Sequence, residues 1–574
     1  MLMRLLLGMA VGAAGLGSGS GAEHGAPQYS GGWRVDATRL VAPEVSVRLS
    51  LALRPHRADA QAEIERIAMR VSDPRSAEYG QYLSARAIAD LTAPAPRSVA
   101  AVEAWLSDVP AIKFRRTNEI VSVEGPVSAL EQLLQTKFHH VVNAGQDQSR
   151  VRAGVFRLPD TVEDSVEAIF GLHGLPLPPR GAAGRRVRFP HPREPANVTP
   201  AVLARTYGIA GVKKVANSTN RQAVAEFQGQ CMNQTDLETF WEMFVMKQVA
   251  GATQMDVTAL KYRGDKGQCQ GRTQPSLDIQ YMMGISPGTE TWFYDQASMD
   301  FCADLKAWTQ LLLRDDDSPL VNSVSYGWQG NLTQVACSDA LVESIDNDFA
   351  KIAAKGISIL FASGDSGSGY SPDCDGVKDT ALTGGEVLRS IPVPEATVCC
   401  EIAGQIGGKE AGSNPSWQFQ SGGGPDDAGS HRQLRRGPPT PKLGNCSIYR
   451  KDTVTGTVPA PKTSCGGPVA APDATVALYP SWPASSPWVT SVGGTRFQGE
   501  KEGNPEMATD QFGSGGGFCS FIKQSPDAQW QSAAVAKYFT VVNKTTLPPS
   551  SAYNPLGRAT PDVSALAEGA CVQP

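Results

Sequence analysis

Histidine is scarce in this chain of 574 residues, which holds seven: His24, His56, His139, His140, His173, His191 and His431. Only His431 lies beyond the first third, inside a Gly/Pro/Arg-rich stretch. A Ser-His-Asp relay needs an imidazole as general base, so the second half of the chain has no natural place for one. Cysteine is missing from the first 230 residues, and the eleven present run from Cys231 to Cys571. An oxidising compartment would pair most of them, and the odd count leaves at least one over. Cys399-Cys400 is not a metal-ligand spacing, and no Cys/His cluster has the spacing of a zinc site. The net charge of −5 is too small to point to a nucleic-acid partner. After the first 22 residues no apolar run reaches the roughly 18 residues a membrane span requires.

Residues 1–22 read as a secretory signal. Arg4 supplies the positive start, Leu5–Leu16 the apolar core, and the small residues around Gly21-Ala22 a cleavage site. N-x-[ST] sequons follow at Asn197, Asn217, Asn233, Asn331, Asn445 and Asn543, in keeping with the secretory pathway.

Residues 23–174 contain one α+β unit. Val45, Val47, Leu49, Leu51 and Leu53 alternate with mostly polar neighbours, as a half-buried strand does. Helical spacing covers 60–71, 98–109 and 127–138, with a strand at 119–124, the layout of a small split-βαβ domain. Residues 175–196 form a linker; Leu175–Pro200 holds seven prolines and five arginines, including Arg185-Arg186. Such a segment is expected to stay exposed and open to proteolysis. From 197 to 574 the pattern is α/β. Periodicity collapses between 371 and 478, which reads as a large surface insertion.

The chemistry gathers around Ile357–Gly369, ISILFASGDSGSG. Leu341, Ile345, Phe349, Ile352 and Ala353 share one helical face, with Ser338 a candidate N-cap and Gly356 the stop. Lys351 and Lys355 fall in the last turn, where the helix dipole favours cations. Apolar Leu320–Tyr326 before this helix and Ile357–Phe361 after it predict a βαβ unit with parallel neighbouring strands. Asp365 follows the second strand, where open α/β sheets carry their ligands. Gly364-Asp365-Ser366-Gly367 is similar to the nucleophile loop of trypsin-type proteases, but those enzymes are all-β and require a His. A Gly-rich turn with a capping Asp is the plain structural alternative.

Arg272–Ile285, RTQPSLDIQYMMGI, is the second informative stretch. Pro275 suits a first helical turn, and Leu277, Tyr281 and Gly284 are expected to face inward. Gln274 and Asp278 stand four apart on one face. Two carboxylates so placed could relay a proton, one as base and one orienting it; here the first is an amide.

The chain resembles the sedolisin family of serine-carboxyl peptidases. The matching segments are VSDPRSAEYGQYLS at 71–84, SLDIQYMMG at 276–284, VSYGW at 324–328, ILFASGDSG at 359–367, PASSPWVTSVGGT at 483–495 and GRATPDVSALAEG at 557–569. The resemblance implies a subtilisin-like parallel-sheet α/β peptidase domain behind an α+β, ferredoxin-like pro-domain that acts as intramolecular inhibitor and chaperone. It also implies a peptide or protein substrate, cleaved by tripeptidyl release or internally at acid pH. In the family a Ser attacks, a Glu takes its proton, an Asp supports the Glu, and a protonated Asp helps the oxyanion. Asp278 matches the supporting acid and Asp365 the oxyanion acid. Ser325, Tyr326 and Gly327 match the substrate edge. The Glu-base position is Gln274. The nucleophile belongs to a Gly-Thr-Ser motif that this sequence does not contain, and both it and the calcium loop are expected beyond Pro574, so no metal or other cofactor is assigned. The resemblance therefore implies a C-terminally incomplete peptidase precursor, inactive as it stands, or else a non-catalytic homologue that binds peptides or a partner peptidase.

Limited trypsin digestion is expected to cut first at the arginines between 175 and 200 and leave two resistant pieces. First cleavage inside 223–365, read by mass spectrometry of the fragments, would sink that boundary.

Overall fold

The computed structural model describes residues 23–178, 196–209, 219–246, 260–264, 273–367, 478–509, 512–523, 529–542, 547 and 553–571. The signal segment, the insertion up to residue 477 and linker residues 179–195 lie outside the described residues.

The N-terminal unit is built mainly on a four-stranded antiparallel sheet with helices, beside a smaller three-stranded sheet of Trp33–Asp36, Phe138–Asn143 and Gln148–Ala153. Its elements are β1 (Ser46–Leu53), α1 (Ala60–Ser72), α2 (Pro96–Ser107), β2 (Lys113–Thr117), β3 (Ile120–Pro126), α3 (Val127–Leu134) and β4 (Val166–Phe170). The strand order is β2-β3-β1-β4. The expected alternation holds in β1: Leu49, Leu51 and Leu53 pack with Val121 and Val123 of β3 against Val102 and Leu106 of α2 and Leu130 and Leu133 of α3. Helix α3 stops earlier than its periodicity suggests, because Gln135 turns left-handed.

The second unit carries an eight-stranded sheet. Its elements are β5 (Arg221–Phe227), α4 (Gln234–Phe240), β6 (Leu260–Gly264), α5 (Thr273–Ile285), β7 (Glu290–Gln296), α6 (Phe301–Arg314), β8 (Val321–Val324), α7 (Asp339–Ala354), β9 (Ser358–Ala362), β10 (Thr490–Phe497), β11 (Glu506–Ala508) and β12 (Val563–Leu566). The order is β6-β7-β5-β8-β9-β10, with β11 and β12 both on β10. All pairs are parallel except β10–β11. β8 and β9 are the parallel neighbours the βαβ pattern predicts, with Val324 opposite Phe361. From β5 the chain goes to the sheet edge for β6, returns to β7 beside β5 and then crosses to β8 on the other side, so the crevice beside β5 is the topological switch point where such sheets hold ligands.

Layering follows from residue alternation. Val224 and Phe293 face α5, meeting its Ile279 and Met283. Ala223, Ala225, Phe227, Trp292 and Tyr294 face α6 and α7. The same core continues into the N-terminal unit through Ala52, Ile64, Ala68, Ala168 and Phe170. The two units thus share one apolar interior along α7.

Several side chains differ from the sequence expectation. Ile279, Gln280, Met283 and Gly284 are the buried face of α5, while Leu277 and Tyr281 are half-buried. Gly284 lets the helix approach closely, since a Cβ there would lie 3.0 Å from Pro200 and 3.3 Å from Phe240. Tyr281 instead sends its hydroxyl to the edge: it donates to the Val198 carbonyl and accepts from Cys571 N at 2.8 Å. Ser338 caps α7 without a side-chain hydrogen bond. Lys355 serves a neighbouring helix, donating to the Leu312 carbonyl of α6 at 2.7 Å. The linker is not exposed at its start: Leu175 and Leu177 are buried. Leu175 N donates to Val335 O and Phe301 N to Leu175 O, both at 3.0 Å. Cys302 and Cys337 form a disulfide with a Cα separation of 5.9 Å.

A buried row of alternating charge crosses the interface between the units. Lys306 meets Asp348 at 2.8 Å, Asp348 meets Lys351 at 3.2 Å, and Lys351 meets Glu119 of the N-terminal unit at 2.9 Å. Asp348 also accepts from Thr309 Oγ1 at 2.7 Å and Gln310 Nε2 at 2.8 Å. Burial alone would raise the Asp348 carboxyl, but the two lysines outweigh it and hold the group below its ordinary range. Burial opposes the charge on Lys351, yet Glu119 and Asp348 keep it above the ordinary lysine value. Such rows fix geometry more than they add stability, and breaking one costs about 3–5 kcal/mol.

Two acids behave oppositely. Burial pushes Asp304 up to about 7, although Ser298 N donates to it at 2.9 Å. Burial also pushes Asp346, beside Trp482, up to about 7. An unfolded Asp titrates near about 3.9. Below that both states hold the proton; between there and about 7 only the folded state does, so stability falls as pH rises through this window. The melting temperature should therefore increase on going from pH 7 to pH 5, and Asp304→Asn should flatten the slope. A flat profile in the parent would contradict the burial argument.

Candidate active site

Four pieces of chain meet beyond the carboxyl ends of the strands. Gln274 stands in the first turn of α5, and its Nε2 donates to the carbonyl of Ser325 at 2.9 Å. Ser325 follows directly on β8. That contact brings two of the expected residues together. Asp278 lies one turn further along α5, half-buried.

The segment 325–329 is fixed residue by residue. Tyr326 turns into the core, stacking on Phe227 at 4.4 Å and donating from its hydroxyl to Gln228 Oε1 at 2.8 Å. What Tyr326 offers at the edge is therefore its backbone. Gly327 has no room for a side chain: a Cβ would sit 2.6 Å from Ser481 Oγ and 3.0 Å from Trp482 O. Trp328 exchanges two backbone bonds with Trp482, at 2.8 and 3.0 Å.

Asp365 sits after β9, on the strand neighbouring β8, half-buried. Its turn is held from both sides. Gln329 Oε1 accepts from Asp365 N at 2.9 Å and Ser366 N at 3.1 Å, and Gln329 Nε2 donates to Gly367 O at 3.0 Å. On the other side Gly515 N donates to Gly364 O at 2.7 Å, Gly367 N to Gly513 O at 3.0 Å and Gly516 N to Gly367 O at 2.9 Å. Ser363 Oγ adds a bond to Gly515 O at 2.7 Å. A Cβ on Gly515 would lie 1.9 Å from Ser363 O, so this contact requires glycine.

Sequence reasoning missed Gln329 and the 513–517 run. The run Gly513-Ser-Gly-Gly-Gly517 was visible as a glycine cluster, but only the fold shows what presses against it. Glu226 is also unannounced: it is buried at the end of β5, opposite Asp295 in the β5–β7 register. Both lie on the sheet face that α5 covers, since Val224 and Phe293 two residues earlier contact that helix.

Chemically, the amide of Gln274 is neutral at every working pH and cannot accept a proton; the carboxyls of Asp278 and Asp365 can exchange one. Among the described residues no group of three or more His, Cys, Asp and Glu gathers to hold a metal ion, and no described helix is long and apolar enough to cross a membrane.

The α+β unit thus shares its core with a parallel-sheet domain, whose sheet carries Asp365 beyond a strand end and Asp278 on the helix covering one face. Comparison with known proteins adds the following. Residues 34–175 match the pro-kumamolisin activation domain. Tripeptidyl-peptidase 1 of Bos taurus is 27% identical over 542 residues, covering 92% of this chain and 74% of the relative. The Homo sapiens and Mus musculus proteins of the same name are also 27% identical, over 543 and 545 residues, with the same coverage. The chain is thus similar to tripeptidyl-peptidase 1 over most of its length, and its N-terminal unit is similar to a pro-kumamolisin activation domain.

Gly364 carries a φ of +108°, and a Cβ there would meet Gln329 Oε1 at 2.1 Å. Gly364→Ala should cost about 2 kcal/mol or more from backbone strain and the displaced glutamine. A fall in melting temperature checks this; an unchanged one would mean that the turn is softer than its contacts.

Proposed function

We propose that the chain is a secreted or lysosomal serine-carboxyl peptidase precursor of the tripeptidyl-peptidase 1 type, built for acid pH and with little or no turnover of its own. In this reading the N-terminal domain, whose strand order fits a ferredoxin-like layout, covers and chaperones the peptidase domain. Residues 325–327 take the peptide backbone, Asp365 supplies the proton at the oxyanion, and Asp278 is the supporting acid. The reading gives no nucleophile among the 574 residues, since they contain no Gly-Thr-Ser, and no metal. The signal-like first 22 residues and the six sequons support the secretory route.

One observation supports the low turnover: Gln274, which in this reading takes the family's base position, presents an amide whose Nε2 donates to the Ser325 carbonyl. A general base contributes about 10²–10⁴-fold to rate, and an amide cannot replace it. The same bond favours a second reading, a peptide-binding homologue without catalysis, because a neutral donor stabilises the substrate edge that a carboxylate would repel.

The test is hydrolysis of peptide substrates between pH 3 and 6, by the chain as written and by a Gln274→Glu version extended with a Gly-Thr-Ser segment of family type. The extended version is expected to be faster by at least about 10²-fold. Turnover by the unaltered chain that Asp365→Ala abolishes would overturn the inactivity and require an unrecognised serine, with Ser366 and Ser514 the first to examine. Peptide binding without hydrolysis by either version would select the second reading.

A further inference from the structure

We propose that Gln329 is a positioning residue that sets the Asp365 carboxyl from the peptide-binding edge, a role that rests on the reading of Asp365 as the oxyanion acid. Gln329 is 6% exposed, so its amide must find partners inside the protein. It finds three, all on the backbone of one turn: the N–H groups of Asp365 and Ser366, and the carbonyl of Gly367. A single oxygen receiving two successive N–H groups fixes the peptide planes on both sides of the Asp365 Cα, and with them the direction in which its side chain leaves the chain. The opposite clamp, from 513–516, holds Gly364 and Gly367 but neither Asp365 N nor Ser366 N. Gln329 therefore holds both N–H groups that flank the Asp365 Cα.

The placement of Gln329 gives the contact a second meaning. It is two residues after Gly327 and directly follows Trp328, which is bonded to Trp482 in both directions. A peptide seated along 325–327 presses on the same short segment that holds the turn. Substrate engagement and the aim of the proton donor are thus coupled through one side chain, with no intervening helix or loop. The turn accommodates this only because residue 364 is glycine: the Gln329 amide occupies the space a Cβ would take.

Hydrogen exchange read by mass spectrometry tests the positioning without relying on activity. In the full chain at pH 7, Gln329→Met should speed exchange of the Asp365 and Ser366 amides about tenfold or more, leaving the β9 amides 359–362 as in the parent. Gln329→Glu should restore most of that protection, because a carboxylate oxygen accepts the same two N–H groups. Unchanged protection in Gln329→Met, loss spread through β9, or no recovery in Gln329→Glu would overturn the proposal. In the extended Gln274→Glu version, Gln329→Met should lower kcat about tenfold with KM kept within about twofold. Equal losses in both constants would overturn the coupling. No turnover in that background would sink the functional reading of Asp365, while the exchange result would still decide the positioning.

Discussion

The parallel pairing of β8 and β9, with Val324 opposite Phe361, is the constraint on which the site depends. It sets the residues just beyond each strand side by side: Ser325 to Gln329 on one, Ser363 to Gly367 on the other. A shift of the pairing by one residue would turn Tyr326 out of its stack on Phe227 and move Asp365 off the Gln329 amide. The register is held by burial on the face under α6 and α7, where Val324, Ile359 and Phe361 belong to the core, while Ser323 and Leu360 on the opposite face are half-buried. Parallel strands need a crossover helix, and α7 is that helix, so the element that makes the pairing possible is also the one on which the activation domain rests.

Polar groups then do the local work. Gln274, Gln228 and Gln329 each use a neutral amide against backbone: Ser325 O, Leu177 N and O, and the Asp365 turn respectively. A primary amide offers donor and acceptor at once and keeps both at any pH. In a domain with few histidines and several acids displaced from their ordinary range, that constancy separates the scaffold from the groups that titrate. Gln228 links the ends of this system, because its Oε1 receives both Leu177 N and the Tyr326 hydroxyl. The start of the linker and the segment that follows β8 therefore share one acceptor atom.

Local periodicity was enough to find the βαβ unit, the helix bearing Gln274 and Asp278, and the strand-and-helix order of the activation domain, because those patterns repeat within a few residues. What it could not show is who meets whom across the fold. Lys351 looked like a dipole-stabilising helix-end cation, but its partner Glu119 is 232 residues away. Gln329 sat in an apparently ordinary loop, and its partners lie 36 to 38 residues further on. The inward face of α5 was misjudged for a related reason: Tyr281 is large and apolar by composition, but its hydroxyl is anchored to backbone at the domain edge. The Arg/Pro-rich linker was recognised by composition, yet its first residues bury, because Leu175 and Leu177 are apolar side chains in reach of a waiting core.

The charged row at the interface would have a consequence for whatever remained if the activation domain were removed. Of its four members, Lys306, Asp348 and Lys351 belong to the parallel-sheet domain and only Glu119 to the activation domain. Removal would take away one anion and leave two cations sharing a single carboxylate. The uncovered face of α7 would then be an apolar surface with a fixed positive centre, and water or an incoming anion would have to supply what Glu119 had given. Parting is therefore not the mirror image of docking two neutral surfaces: one side leaves with its charge hydrated, and the other keeps an electrostatic memory of the partner it lost.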